Sequence, residues 1–351
     1  MTVVPGASNS EDLFRFKDEY GITGDIEKNI KRMVVKMNNE QLKNYYFGAY
    51  SFSETEDGYL QAFQYTADQM KYFEEANDFW YDRCMASTAK TIEMVTDATK
   101  VSFDYKFFWT GSQDSFELCI NGLADSIVYV KDIDTVGYIE WDMPEGEKSV
   151  VIYLPADATV LIKNFEINSE AKRTTKNEHV LWLGDSITQG FGPLRSAQTY
   201  VSVANRILNY DVINQGIGGY IYDKKSLMPM PGYVPDKIIV AMGTNNNHDP
   251  AKTSDVTEYY DTLTEIYGSD IPILCISPIW RGDNPADYDN FVRYCDMIKK
   301  TAGSYKNVTV LDGFTLVPHL SEYFIDNLHP NLLGAEVYGR NLAEFIRRTE
   351  W

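Results

Sequence analysis

The period-two hydrophobic pattern of this chain stops near residues 168–177, and that change restricts the fold more than any other feature. From about residue 92 to 167, apolar and polar residues alternate in short runs. Examples are Val101-Ser102-Phe103-Asp104-Tyr105-Lys106-Phe107, Phe116-Glu117-Leu118-Cys119-Ile120 and Val150-Val151-Ile152-Tyr153-Leu154. Period two sends alternate side chains to opposite faces of a strand. Turn-forming stretches separate the runs at Gly111-Ser112-Gln113-Asp114, Asn121-Gly122 and Pro144-Glu145-Gly146-Glu147. Strands so closely spaced predict an antiparallel sandwich or jelly roll. Ahead of them, 11–39 reads as mostly helical, and 46–83, rich in Tyr and Phe, reads as strand mixed with loop.

The polar run Asn168-Ser169-Glu170-Ala171-Lys172-Arg173-Thr174-Thr175-Lys176-Asn177 marks the boundary. Beyond it, apolar strands at 180–183, 212–213, 238–242, 273–276 and 308–311 alternate with helical segments at 197–208, 253–267, 285–303 and 332–348. That order predicts a five-stranded parallel sheet with helices on both faces. With 351 residues, two cores are the ordinary outcome. The expected organisation is a largely helical segment at 1–40, a β-sandwich at 41–170 and an α/β/α domain at 178–351.

A formal charge of −19 repels phosphate backbones and anionic membrane surfaces, and no Lys/Arg cluster reverses it locally. Nucleic acid and membrane are therefore not expected partners. The N-terminus lacks a basic leader with an apolar core, which predicts a cytoplasmic chain. Cys84, Cys119, Cys275 and Cys295 show no paired spacing and are expected as buried thiols. Asp132-Ile133-Asp134-Thr135-Val136-Gly137 hints at a calcium loop, but Val136 and Met143 stand where oxygen ligands are needed. Neither metal nor cofactor is expected.

Four segments fall at the carboxyl ends of successive predicted strands, where an open α/β sheet builds its site. They are Gly184-Asp185-Ser186, Asn214-Gln215-Gly216-Ile217-Gly218-Gly219, Gly243-Thr244-Asn245-Asn246 and Asp326-Asn327-Leu328-His329. A serine hydroxyl needs an imidazole to take its proton and a carboxylate to hold that imidazole in the right tautomer. Residues three apart on a tight turn bring Asp326 to His329, and Pro330 stops a helix from continuing. His179, His248 and His319 lack such a carboxylate on their N-terminal side. Each motif alone has a plainer reading: a helix cap at Ser186, a loop amide at Asn245, a surface pair at Asp326 and His329. No G-x-S-x-G elbow is present, which argues against an α/β-hydrolase.

Together, in order and spacing, the four segments resemble the sequence blocks of the SGNH hydrolases, the GDSL-like esterases, over about residues 179–349. The resemblance implies a flavodoxin-like α/β/α domain. It makes Ser186 the nucleophile, His329 the general base and then acid, and Asp326 the group that orients His329. The oxyanion hole would be the backbone N–H of Ser186, the backbone N–H of Gly219 and the side-chain amide of Asn245. Tyr220, Tyr222, Trp280 and Arg281 are expected at the cleft rim, where aromatic faces and polar donors suit a sugar ring. A sandwich ahead of such a domain resembles the two-domain carbohydrate esterases. The expected substrate is therefore an acetylated oligosaccharide of mannan or xylan type. The alternatives are an esterase or thioesterase for longer acyl groups and a non-catalytic carbohydrate-binding protein; homo-oligomerisation is left open.

Overall fold

The computed structural model describes residues 34–112 and 114–351, and among these, twelve strands lie in the first half of the chain. The helical expectation for 11–39 thus lies mainly outside the described residues; within them Val35–Lys36 is a strand and Asn39–Lys43 (α1) a helix. The strands are Val35–Lys36 (β1), Tyr46–Phe47 (β2), Ser51–Glu54 (β3), Leu60–Phe63 (β4), Thr91–Thr96 (β5) and Lys100–Thr110 (β6). Ser115–Ile120 (β7), Leu123–Tyr129 (β8), Val136–Asp142 (β9), Lys148–Tyr153 (β10), Ala158–Ile167 (β11) and Ala171–Arg173 (β12) follow. They form two six-stranded sheets, β3-β4-β11-β6-β9 with β1 beside β11, and β12-β5-β10-β7-β8 with β2 beside β5.

Alternation builds the core between the sheets. Val101, Phe103, Tyr105 and Phe107 of β6 point inward, and Phe103 stacks on Phe165 at 6.0 Å and meets Trp141 edge-on at 5.8 Å. Strand β7 departs from the half-buried pattern, because all six of its residues are buried. Phe116, Leu118 and Ile120 face the sandwich core. The opposite residues Ser115, Glu117 and Cys119 face the second half of the chain, so period two survives while both faces are covered.

The second sheet system has the order Asp211–Gly216, His179–Gly184, Lys237–Ala241, Ile273–Ile276, Val308–Leu311, every neighbour parallel. Its strands are His179–Gly184 (β13), Asp211–Gly216 (β14), Lys237–Ala241 (β15), Ile273–Ile276 (β16) and Val308–Leu311 (β17). Odd and even residues of β13 part to two cores. Leu181 and Leu183 pack under Ser254–Tyr267 and Tyr288–Ala302, while Val180 and Trp182 pack under Tyr200–Leu208 and Leu332–Thr349. The latter two helices touch closely, with Tyr200 stacked on Tyr338 at 3.9 Å. Gly339 permits the approach, since a Cβ there would lie 2.6 Å from Val203 Cβ. Neighbours of β13 lie on both sides of it and are reached by connections running in opposite directions, so its carboxyl end is the switch point where such sheets bind ligands.

The segment 46–83 holds strands β2 to β4, in keeping with strand mixed with loop, and departs from that expectation only beyond them. After β4, two helices form, Ala67–Ala76 (α2) and Asp78–Cys84 (α3). A reciprocal capping box between Thr66 and Gln69 starts the first, and the Asn77 side chain caps the second. Tyr65, Phe73 and Cys84 belong to the same buried cluster as Leu181, Ile213 and Val240. Tyr65 and Phe73, two of the aromatic residues that obscured this segment's period, therefore pack with the parallel sheet, while Tyr46 belongs to the sandwich core. All four cysteines are buried and free, and among the described residues no helix is long and apolar enough to cross a membrane.

Candidate active site

The end of β13 turns sharply into a four-residue helix, Ser186–Gln189 (α4). Gly184 makes the turn possible, because a Cβ there would lie 2.1 Å from Thr188 Oγ1 and 2.8 Å from Ala241 O. The Asp185 side chain caps the helix by accepting from Ile187 N at 3.0 Å. Burial pushes the Asp185 carboxyl up to about 7, against the lowering effect of that N–H. Ser186 thus sits in the first turn, among free N–H groups.

Ser186 Oγ lies 2.8 Å from His329 Nε2, and His329 Nδ1 lies 2.7 Å from Asp326 Oδ2. The other carboxylate oxygen, Oδ1, accepts from His329 N at 2.7 Å and Leu328 N at 3.0 Å. A left-handed Asn327, φ 60°, closes this tight turn. Burial works to raise the Asp326 carboxyl, but the His329 backbone N–H, the imidazole and Leu328 N–H outweigh it and hold it below the usual range. The line of hydroxyl, imidazole and carboxylate has the geometry for moving the serine proton to Nε2.

The turn 217–220 after β14 is closed by Tyr220 N donating to Ile217 O at 3.2 Å. Gly219 occupies its third position with φ 70°, a conformation that favours glycine. Asn245 Nδ2 donates to Tyr220 O at 3.1 Å, tying the loop after β15 to this turn, and both Gly219 and Asn245 are solvent-exposed.

Tyr220 and Tyr222 do not rim the cleft. Each is only 3% exposed. Tyr220 packs edge-on against Phe73 and Trp80, and Tyr222 against Tyr259. Residues that follow a strand can fold back over the sheet, and apolar burial favours that for a large ring. Trp280 is half-buried and stacks on His319 at 5.8 Å. Arg281 forks onto Asp283 at 2.7 and 2.6 Å and donates to Thr244 O. Gly282 N donates to Asn327 O at 2.7 Å, so this loop braces the Asp326–His329 turn.

Two residues absent from the sequence expectations stand beside Gly219. A Cβ built on Gly219 would lie 3.4 Å from Phe79 Cε1 and 4.0 Å from Trp80 Nε1. Both come from α3, and Phe79 is 49% exposed. The Arg83 guanidinium lies 3.4 Å from the Phe79 ring centre and 4.9 Å from that of Trp109. The cap signal at Asn77 ahead of Phe79 and Trp80 was the available clue. On the other side, the Phe191 ring meets the His329 ring edge-on at 4.7 Å.

The other histidines point elsewhere. His248 pairs with Asp287 at 2.7 Å but turns its second nitrogen to Thr244 O, and His319 faces Phe314 O. Among the described residues no three His, Cys, Asp or Glu side chains converge as a metal site would require.

Residues 182–337 match the model of the GDSL-like lipase/acylhydrolase family. No curated protein matches the chain. Among solved structures, a GDSL-like lipase from Bacteroides ovatus superposes with TM-score 0.71 at 18% identity, covering 90% of this chain and 98% of that one. The salicylyl-acyltransferase SsfX3 of a tetracycline biosynthetic pathway gives 0.69 at 19%, covering 91% and 97%. The acetyl xylan esterase Est2A of Butyrivibrio proteoclasticus gives 0.61 at 14%, covering 91% and 98%. At such identities the likeness is one of fold, and it extends over both halves of the chain.

Proposed function

For a chain that carries a GDSL-like hydrolase domain of the SGNH superfamily, and is on that ground a hydrolase of ester bonds, we propose that the substrate is an O-acetylated oligosaccharide of mannan or xylan type. The observation that carries the catalytic part is the line from Ser186 Oγ through His329 to Asp326, at 2.8 and 2.7 Å. His329 Nε2 takes the Ser186 proton as Oγ attacks the ester carbonyl. Backbone N–H groups of Ser186 and Gly219 and the second N–H of Asn245 Nδ2 receive the developing oxyanion. The imidazolium returns its proton to the sugar oxygen, which leaves, and an acetyl-serine remains. Water then repeats the sequence with His329 as base, releasing acetate. Asp326, acceptor-only while ionised, keeps the proton on Nδ1 so that Nε2 faces the serine.

The substrate class rests on two supports. One is the two-part layout shared with the acetyl xylan esterase Est2A. The other is the exposed Phe79 ring beside Gly219, an apolar face of the kind that packs on sugar C–H groups. In a cytoplasmic setting, imported oligosaccharides rather than intact polymer would be the substrate. The competing reading, a larger acyl group, draws on the fold likeness to SsfX3. Turnover of p-nitrophenyl esters by chain length separates the two: acetate preferred supports the first, rising activity toward long or aromatic acyl groups supports the second.

A further inference from the structure

We propose that the β-sandwich is a working part of the oxyanion hole, because its Asp157 fixes the side chain of Gln189, which in turn sets the position of the Gly218-Gly219 turn relative to Ser186. This inference rests on the serine-esterase reading above.

Gln189 is the last residue of the helix that Ser186 begins. Its Oε1 accepts from Gly218 N at 2.6 Å, and its Nε2 donates to Asp157 Oδ1 at 2.5 Å. Asp157 precedes β11 in the sandwich, and its second oxygen accepts from Ser112 N at 2.6 Å. Gln189 is 1% exposed and Asp157 3%, so water does not compete for these bonds. The polarity along the chain is forced. A backbone N–H can only donate, so Gln189 must turn its oxygen to Gly218; its amide hydrogens then face Asp157, which must accept. A single side chain therefore spans from the nucleophile's helix to the turn that carries Gly219 N–H.

The buried Ile217 and Tyr220 anchor the ends of the turn, and its glycine middle relies on this strut. Gly218 and Gly219 have no side chains with which to pack the turn in place, and Gly219 is exposed. Misplacement by about 1 Å at a reacting centre is enough to cost about a hundredfold in rate. Oxyanion donors act in the transition state, so the loss falls on kcat and spares KM. Asp157 and Gln189 touch no substrate; they are positioning residues.

The test exchanges the polarity of the pair. Gln189→Glu sets a carboxylate against Asp157, and Asp157→Asn leaves one acceptor oxygen for two donors, Ser112 N–H and Gln189 Nε2. In the double variant, the amide introduced at position 157 accepts from Ser112 N–H and donates to the carboxylate introduced at position 189. The other oxygen of that carboxylate accepts from Gly218 N–H, and the net charge is that of the wild type. With p-nitrophenyl acetate, each single change should lower kcat about ten- to a hundredfold with KM unchanged, and the double change should regain most of the loss. Gln189→Met supplies a charge-free check. Its affinity for a phenylboronic acid, which mimics the tetrahedral oxyanion, should fall in step with kcat. Full kcat in both single variants, losses carried by KM, or unaltered boronate affinity in Gln189→Met would overturn the proposal. If the double variant does not fold, the boronate result decides alone. Hydrolysis that survives Ser186→Ala would overturn the serine-esterase reading beneath it, and so is distinguishable from failure of the strut.

Discussion

Replacing Asp326 by Asn should be worse for turnover than replacing it by Ala, and the hydrogen bonds around the carboxylate say why. Oδ1 accepts two backbone N–H groups, from Leu328 and His329, at 3.0 and 2.7 Å. An asparagine oxygen will stay with those donors, which turns its NH2 toward His329 Nδ1. A donor at that position requires an unprotonated Nδ1, so the ring proton moves to Nε2, where it faces Ser186 Oγ and cannot accept the hydroxyl proton. The wrong tautomer in such a triad costs about 10⁴ in kcat, roughly 5.5 kcal/mol of transition-state stabilisation. Alanine removes the carboxylate without imposing a donor. The Asp326 side chain is 45% exposed, so water can reach Nδ1–H and the productive tautomer persists in part. The assay is kcat on p-nitrophenyl acetate for wild type, Asp326→Asn and Asp326→Ala, with thermal unfolding as a check on the fold. An Asn variant within tenfold of wild type, or one more active than the Ala variant, would refute the orienting role.

Asn245→Ala should lower kcat by about 10²–10³ with KM unchanged on the same ester, since one oxyanion donor is lost; an effect confined to KM would contradict this. Phe79→Ala should raise KM for acetylated oligosaccharides several-fold, about 1 kcal/mol for one ring face, and leave p-nitrophenyl acetate untouched; equal effects on both would place the ring outside the sugar site. Burial lowers the Lys90 ammonium to about 7 from 10.5, with Gln64 Oε1 and Ala86 O as its acceptors. The unfolded chain then binds the extra proton between those values, so this group makes stability rise with pH across that window, by up to about 1.4 kcal/mol per unit. Urea unfolding at pH 7, 8 and 9 should show that slope flattened in Lys90→Met, and an unchanged slope would be the contrary result.

What the sequence revealed follows from how local each signal was. The apolar runs at 180–183, 238–242 and 273–276 are buried on both faces and read directly as parallel strands. Asp326 and His329 share one turn, so their pairing was visible in four residues. Tyr220 and Tyr222 misled because an aromatic residue after a strand has the same sequence signature whether it lines a cleft or closes a core. Phe79 and Trp80 were hidden by chain order, since they lie between sandwich strands yet pack beside the turn of Gly219. Gln189 sits three residues from Ser186, but its partner Asp157 is 32 residues away and belongs to the other half. The join between halves has the same character. Arg195 pairs with the fully buried Glu117 at 2.5 Å, and Ser196 Oγ bonds to Asp114 and to Ser115 O. No spacing rule links these positions.

The most direct measurement of the central claim is acetate release from acetylated manno- and xylo-oligosaccharides, followed by mass loss of the sugar, for wild type and Ser186→Ala. The wild type should remove one acetyl group per ester cleaved, and the variant none. Release by both proteins would contradict the serine mechanism. No release by the wild type, alongside hydrolysis of p-nitrophenyl acetate that Ser186→Ala abolishes, would contradict the saccharide assignment and leave the catalytic site standing.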